Sequence, residues 1–327
     1  MSSSDSSTND LNLYGYTPTR AVCFLFVILY SVSTIGHFWQ AIRSRAWWLL
    51  PTVVLAGIAE VVGWGARTKS SWDPTLRMPY IIQVSILVLA PTPFVAALFI
   101  GFGRITARLG AQYSRLSPKL YSRIFLTGVG PYRIPIFYSL ADLYQDILSL
   151  LIQGGGGGIA ASSTNDPDKT RLGSDIILGG LIIQIISMSI FCFFMADYAY
   201  RRAKDRPFRA PEPSSYAEAG LPSGRHVMDR KMTMLVAGVI ISTGLVYIRS
   251  VYRIIEFANG FDGPIAHTQI LFDLFDGMLV TLAMYTLNIM HPGTLLRATE
   301  ADAAYALTDR SQTSFDRRTS TKAFLAP

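Results

Sequence analysis

Long apolar runs alternate with short polar connections along most of this chain. Six runs, 21–39, 46–64, 79–103, 176–200, 232–257 and 270–290, are predominantly apolar over about the length a helix needs to cross a bilayer. A seventh is less clean. It passes through Ile147-Leu148-Ser149-Leu150-Leu151-Ile152-Gln153 into glycines 154–158 and ends near Ala161. No soluble domain is left between the runs, and no internal repeat is apparent. The pattern predicts an all-α integral membrane protein, a seven-transmembrane-helix bundle at 20–293, between an N-terminal tail at 1–19 and a disordered tail at 294–327.

Details of the runs refine this. Pro91 and Pro93 fall in mid-span, where they remove backbone donors and predict a kink. Trp39, Trp47, Trp48, Trp64 and Trp72 fall at or just beyond span ends, the headgroup level that amphipathic rings prefer. The glycine run is poor helix by itself; close backbone approach is the favoured reading over unwinding. Residues 1–19 contain no Lys or Arg, so the first run is expected to act as its own insertion signal.

Charge decides orientation. Lys and Arg number 21 in the first, third and fifth connections plus the C-tail, against 6 on the other side. The richer side is predicted to be cytoplasmic, which puts the C-terminus inside and the N-terminus outside. Only 16% of residues are charged, against about 25% in soluble domains, which again points to lipid as the main solvent. The two cysteines, Cys23 and Cys192, read as small apolar residues rather than a disulfide.

Polar groups at depth are the candidate chemistry, since an ionisable side chain within a span is costly and faces the bundle interior. Glu60, Gln83, Gln153, Gln184, Arg249, Arg253, Glu256, Asp273 and Asp276 all fall in the predicted outer half. Arg249, Arg253 and Glu256 are spaced i, i+4, i+7 and share one helix face. Four acids against two bases leave an excess of two negative charges. Two readings stay open and are compatible. One is an outward-facing cavity for an amphiphile with a cationic or hydroxylated head. The other is an ion-pair network locking helices 2, 6 and 7. The inner half has little beyond His37 and Asn288.

Several chemistries are not expected. No Gly-x-x-x-x-Gly-Lys-Ser/Thr stretch occurs. His37, His226, His267 and His291 are assigned to different sides of the membrane, so no zinc site is expected. The basic residues read as topology signals rather than a nucleic-acid surface. The expectation is a non-enzyme without cofactor or metal, whose partners are membrane lipids or amphiphilic small molecules.

One set of motifs converges on a family. Tyr14-Gly15-Tyr16-Thr17-Pro18 precedes the first run, and Glu60-Val61-Val62-Gly63-Trp64-Gly65-Ala66-Arg67 ends the second. Gln83, Leu89-Ala90-Pro91 and Ala96-Ala97 follow, then Asp146, Gln153, Gly180 and Gln184. The end of the chain adds Ile248-Arg249, Tyr252-Arg253, Glu256, Gly260, Gly263, Asp276, Asn288 and His291-Pro292-Gly293. In this order the residues resemble the fungal lipid-translocating exporter family, also called RTA-like. The resemblance implies seven helices, a fungal source, the plasma membrane, export of sphingoid long-chain bases and resistance to toxic amphiphiles. The leading expectation is a transporter or flippase-like exporter of such lipids. The alternative is a seven-helix receptor or sensor of external amphiphiles that signals through the fifth connection and the tail.

The chain departs from the resemblance twice. Gln269 stands where the family often has Glu. Residues 128–145 also intervene where the family runs almost directly from Arg123-Ile124-Phe125-Leu126-Thr127 into Asp146-Ile147-Leu148. Removing them joins the flanks into one 21-residue span. Val129 permits a GT donor and Tyr144-Gln145 a CAG acceptor, so an unspliced intron is the expected origin. Transcript sequencing tests this: the expected reads skip 128–145, whereas reads crossing it intact refute the idea.

Overall fold

A computed structural model of the chain describes residues 14–115, 155–156, 167–208, 230–258, 263 and 265–296. Among these, every regular element is helical: α1 (Arg20–Arg43), α2 (Leu55–Ser70), α3 (Arg77–Leu89), α4 (Pro91–Leu109), α5 (Pro167–Ala203), α6 (Arg230–Ala258), α7 (Gln269–Phe272) and α8 (Leu279–Ile289). A 3₁₀ turn (Trp47–Leu49) and a π turn (Leu50–Val54) lead into α2, and a second π turn (Asp273–Met278) joins α7 to α8. Six of the resulting rods are long and apolar enough to cross a membrane: Arg20–Arg43, Trp47–Ser70, Arg77–Leu109, Arg171–Ala203, Arg230–Ala258 and Gln269–Leu296. The protein is an integral membrane helix bundle. The core of the expected seventh span with Gln153, the 128–145 segment, residues 1–13 and the C-terminal tail beyond residue 296 lie outside the described residues.

Each helix sorts its residues by face. In α1, Cys23, Phe26, Tyr30, Ser33, His37 and Ala41 recur at helical spacing and are buried. Leu25, Ile28, Val32, Ile35 and Trp39 point outward, as a lipid-facing stripe does. Helix α6 is the hub, packing on α4, α5, α8 and the second π turn. Its buried face runs from Met232 through Gly238, Ser242 and Val246 to Arg249, Arg253 and Glu256.

The proline expectation takes a definite form. Pro91 has no N–H for the carbonyl of Leu87, and the hydrogen-bond ladder breaks there. Ala90 keeps helical dihedrals (φ −54°, ψ −41°), so α3 and α4 remain one rod. The freed Leu87 carbonyl accepts a 2.7 Å hydrogen bond from Arg249 Nη2 on α6. Two sequence features, a mid-span proline and a buried arginine, therefore complete one another.

The tryptophans need a correction. Trp39, Trp47 and Trp72 are exposed near rod ends, but Trp48 and Trp64 are buried. Trp64 stacks on Phe26 with centroids 4.2 Å apart. The second π turn lies flush on that stack, because a Cβ at Gly277 would come within 2.6 Å of Trp64 Cζ2 and 2.8 Å of Phe26 Cζ. Of the glycine run, Gly156 is buried against the Gly173 carbonyl of α5, where a Cβ would sit at 2.7 Å. That is the close backbone approach expected of it. Cys23 and Cys192 are both free thiols.

Candidate functional site

The buried charges gather where α2 and α6 end and where α7 begins. Asp276, on the second π turn, takes both arginines of α6. Arg253 grips it as a fork, Nε to Oδ1 at 2.7 Å and Nη2 to Oδ2 at 2.6 Å. Arg249 Nε lies 2.8 Å from the same Oδ1, at an angle too poor for a hydrogen bond, so that contact is one of charge. The remaining arm of Arg253, Nη1, donates to Glu256 Oε2 at 3.0 Å. All four side chains are at most 8% exposed. In low dielectric such bidentate, charge-assisted bonds are strong, and a broken one is costly.

Glu60 lies on α2 beside this group, 2% exposed, and makes no ion pair among the described residues. Its Oε1 has no hydrogen-bond partner there. Asp273, one turn before Asp276, accepts 2.9 Å from Gln269 Nε2, while Gln269 Oε1 accepts from Thr19 N and Oγ1. An amide can donate to one neighbour and accept from the other; an ionised glutamate at 269 could not donate.

Arg67 was missed by sequence reasoning. Counted as a connection residue that sets topology, it is instead 1% exposed at the end of α2. Its guanidinium packs over Phe272 (4.4 Å to the ring centroid) and over Trp64, Tyr14 and Tyr16. Nη2 donates to Tyr16 Oη at 2.8 Å and lies 3.8 Å from Asp273 Oδ1. The available signal was its place seven residues after Glu60, two turns along the same helix face. With Arg67 included, the excess of acids over bases falls from two to one.

The segment 14–18 forms a strap over these groups. Gly15 has φ +69°, which lets the strap turn against the ring of His267. Tyr14 Oη donates to Gln83 Oε1 at 2.7 Å, and its ring meets Tyr80 edge-on at 4.9 Å. Burial pushes the Tyr14 phenol up to about 12, against the downward pull of the Arg67 charge. Burial likewise raises Tyr16 against the pull of Arg67. Both phenols stay protonated at neutral pH; Tyr14 donates to Gln83, while Tyr16 accepts from Arg67.

Beneath the strap is a partly open pocket lined by Tyr14, Tyr16, Arg67, Tyr80, Gln83, Val84, Arg253, Glu256, Phe257, Ala266, His267 and Phe272. It has about 40 Å³ of free room, enough for roughly three waters. Of the nine residues singled out from sequence, Gln83, Arg253 and Glu256 line it. Glu60, Arg249 and Asp276 lie in the charge group around its floor, and Asp273 contacts Arg67 beside it. Gln184 is buried on α5 and does not line it. Gln153 lies outside the described residues.

The opposite end of the bundle carries more polar chemistry than the sequence suggested. His37 Nε2 is 3.1 Å from the Met284 carbonyl, and Asn288 Nδ2 donates to Ser33 while Gln40 Nε2 donates to the Asn288 carbonyl at 2.9 Å. His37 and His291, assigned above to separate places, have ring centroids 6.0 Å apart. His226 lies outside the described residues and His267 is at the pocket. Among the described residues no group of three metal-ligating side chains converges.

Comparison with known proteins places this architecture. The sequence profile of the family described as RTA1 like protein matches residues 53–129 and 132–299, three quarters of the chain. The chain belongs to that family. The matched stretch carries every acid and arginine of the charge group. Among curated relatives, Protein RTA1 of Saccharomyces cerevisiae is 27% identical over 305 residues, covering 86% of this chain and 84% of that protein. Protein RTM1 of Saccharomyces cerevisiae is 24% identical over 320 residues, covering 86% and 92%. The sphingoid long-chain base transporter RSB1 of Saccharomyces cerevisiae is 23% identical over 321 residues, covering 88% and 76%. No solved structure matches the chain.

For this member of the RTA1 like family, the geometry separates two tasks. Asp276 with Arg249 and Arg253 ties the last rod to α6 and, through Leu87, to α3. Arg67, Gln83, Glu256 and the strap tyrosines line the pocket with polar groups among aromatic walls. Asp276→Asn leaves two buried guanidiniums facing a single neutral amide. Thermal unfolding in detergent is expected to show a loss of about 3–5 kcal/mol, the usual cost of breaking a buried pair from one side. A loss below about 1 kcal/mol contradicts a holding role for Asp276.

Proposed function

We propose that the protein is a transporter or flippase-like exporter of amphiphilic lipids such as sphingoid long-chain bases, with the head group held in the pocket under the strap. The observation that carries this reading is the pocket itself. It combines a carboxylate, Glu256, with amide, phenol and guanidinium groups on walls of Tyr80, Phe257 and Phe272. An ammonium is attracted by carboxylate and aromatic faces, and hydroxyls by amide and phenol. A relative named as a sphingoid long-chain base transporter, matched along 88% of this chain, supports the same lipid class.

In this reading the run ending near Ala161 supplies a seventh crossing, the N-terminus lies outside and the membrane is the fungal plasma membrane. The charge bias of the connections supports that orientation, with the strap and pocket at the outer face. The site binds and releases a lipid and performs no covalent chemistry. A pocket with room for roughly three waters is too small for an amino-diol head, so loading requires the strap to shift. Export of toxic amphiphiles by the same route gives resistance to them.

Reconstitution into liposomes with a labelled sphingoid base tests the proposal. Movement between leaflets is expected above that of protein-free vesicles. Glu256→Gln, confirmed as folded by its melting temperature, is expected to bind the base at least about tenfold more weakly, the equivalent of a lost charged hydrogen bond. No movement above empty vesicles overturns the transporter; binding without movement points instead to a sensor.

A further inference from the structure

Among the described residues the buried charges do not balance, and the imbalance falls on one residue. Arg67 is matched locally, by Asp273 at 3.8 Å and by the Tyr16 hydroxyl. That leaves three carboxyls, Glu60, Glu256 and Asp276, for two guanidiniums, Arg249 and Arg253. Arg253 spends its three arms on Asp276 and Glu256. Arg249 lies against Asp276 and gives Nη2 to the Leu87 carbonyl. Glu60 is the carboxyl left over, fully enclosed and with one oxygen unpartnered. An uncompensated carboxylate in such a place is far costlier than a carboxylic acid.

We propose that Glu60 is a proton-exchange site: it holds a proton while the pocket is empty and releases it when a lipid ammonium enters. This rests on the pocket reading above. The groups that face Glu60 are Tyr30 of α1, Arg249 and Arg253 of α6, Asp276 of the π turn, and Trp64 one turn along its own helix. On α3, also packed against α2, the charged Arg77 is exposed and Tyr80 lines the pocket. Among the described residues, the cations that act on Glu60 are the two arginines.

The exchange balances. An ammonium at Glu256 supplies the third positive charge, so three carboxylates face three cations. Arg253 then has less to neutralise at Glu256 and more at Asp276, and Arg249 is released toward Glu60. The O–H bond of Glu60 breaks, the electron pair stays on its carboxylate and the proton leaves to water. One lipid cation enters for each proton released, so the charge within the bundle is unchanged. In a transporter, that stoichiometry lets a proton gradient drive the amine.

Two measurements on the full-length protein in lipid nanodiscs test this. Infrared spectra at neutral pH are expected to show a protonated-carboxyl C=O band that is missing in Glu60→Gln, a near-isosteric neutral side chain. Affinity for a short-chain sphingoid base is expected to rise close to tenfold per pH unit between about pH 6 and 8 in the wild type, the slope of one released proton. In Glu60→Gln the slope is expected to vanish, with the affinity held near the weak value that the wild type shows at its acidic end. An uncharged N-acylated analogue is expected to show no slope in either protein. An unchanged carboxyl band in Glu60→Gln, or binding by the wild type without a pH slope, overturns the exchange and leaves the pocket reading intact. No binding by the wild type overturns both.

Discussion

Asp276 between Arg249 and Arg253 is the interaction on which the rest of the bundle depends. Apolar faces do not drive helices together in lipid, because lipid tails are as apolar as leucine; close packing and buried polar bonds do. One carboxylate here joins the last rod to the hub helix α6, and Arg249 extends the tie to α3 through the carbonyl that Pro91 leaves free. Proline, arginine and aspartate are each unfavourable in a membrane helix alone. Together they satisfy one another. The π turn that carries Asp276 also brings Gly277 flush against Trp64 and Phe26, so charge pairing and close packing occur on the same turn.

The pocket is a consequence of that tie. Glu256 is held at its rim by the third arm of Arg253, and Arg67 is held at its other side by Tyr16 and an aromatic surround. The strap closes over both through Tyr14 to Gln83 and Thr19 to Gln269. Of these bonds, that of Tyr14 is buried and those of Thr19 are exposed.

The sequence made the fold class legible, and physics explains how far. Hydrophobic length located all six described rods, with ends displaced by one to several residues, because helices extend past the hydrocarbon into the headgroup level. The i, i+4, i+7 spacing correctly joined Arg249, Arg253 and Glu256 on one face. It could not say that Arg249 serves Leu87, since that depends on how α6 crosses α3. Arg67 escaped because charge at the end of an apolar run normally snorkels to water, and only tertiary packing shows it turned inward under the strap. Trp64 escaped for the same reason. His37 and His291 lie 254 positions apart, and only the α1–α8 packing brings their rings together.

The central claim is that Arg253 and Asp276 hold the bundle as a coupled pair. A double-mutant cycle with Arg253→Met and Asp276→Leu, read by unfolding in detergent, measures that coupling directly. The account predicts an interaction of about 1–3 kcal/mol, with the double variant more stable than Asp276→Leu alone because no forked guanidinium is left without its acid. Additive losses, with the double variant less stable than either single one, would contradict it.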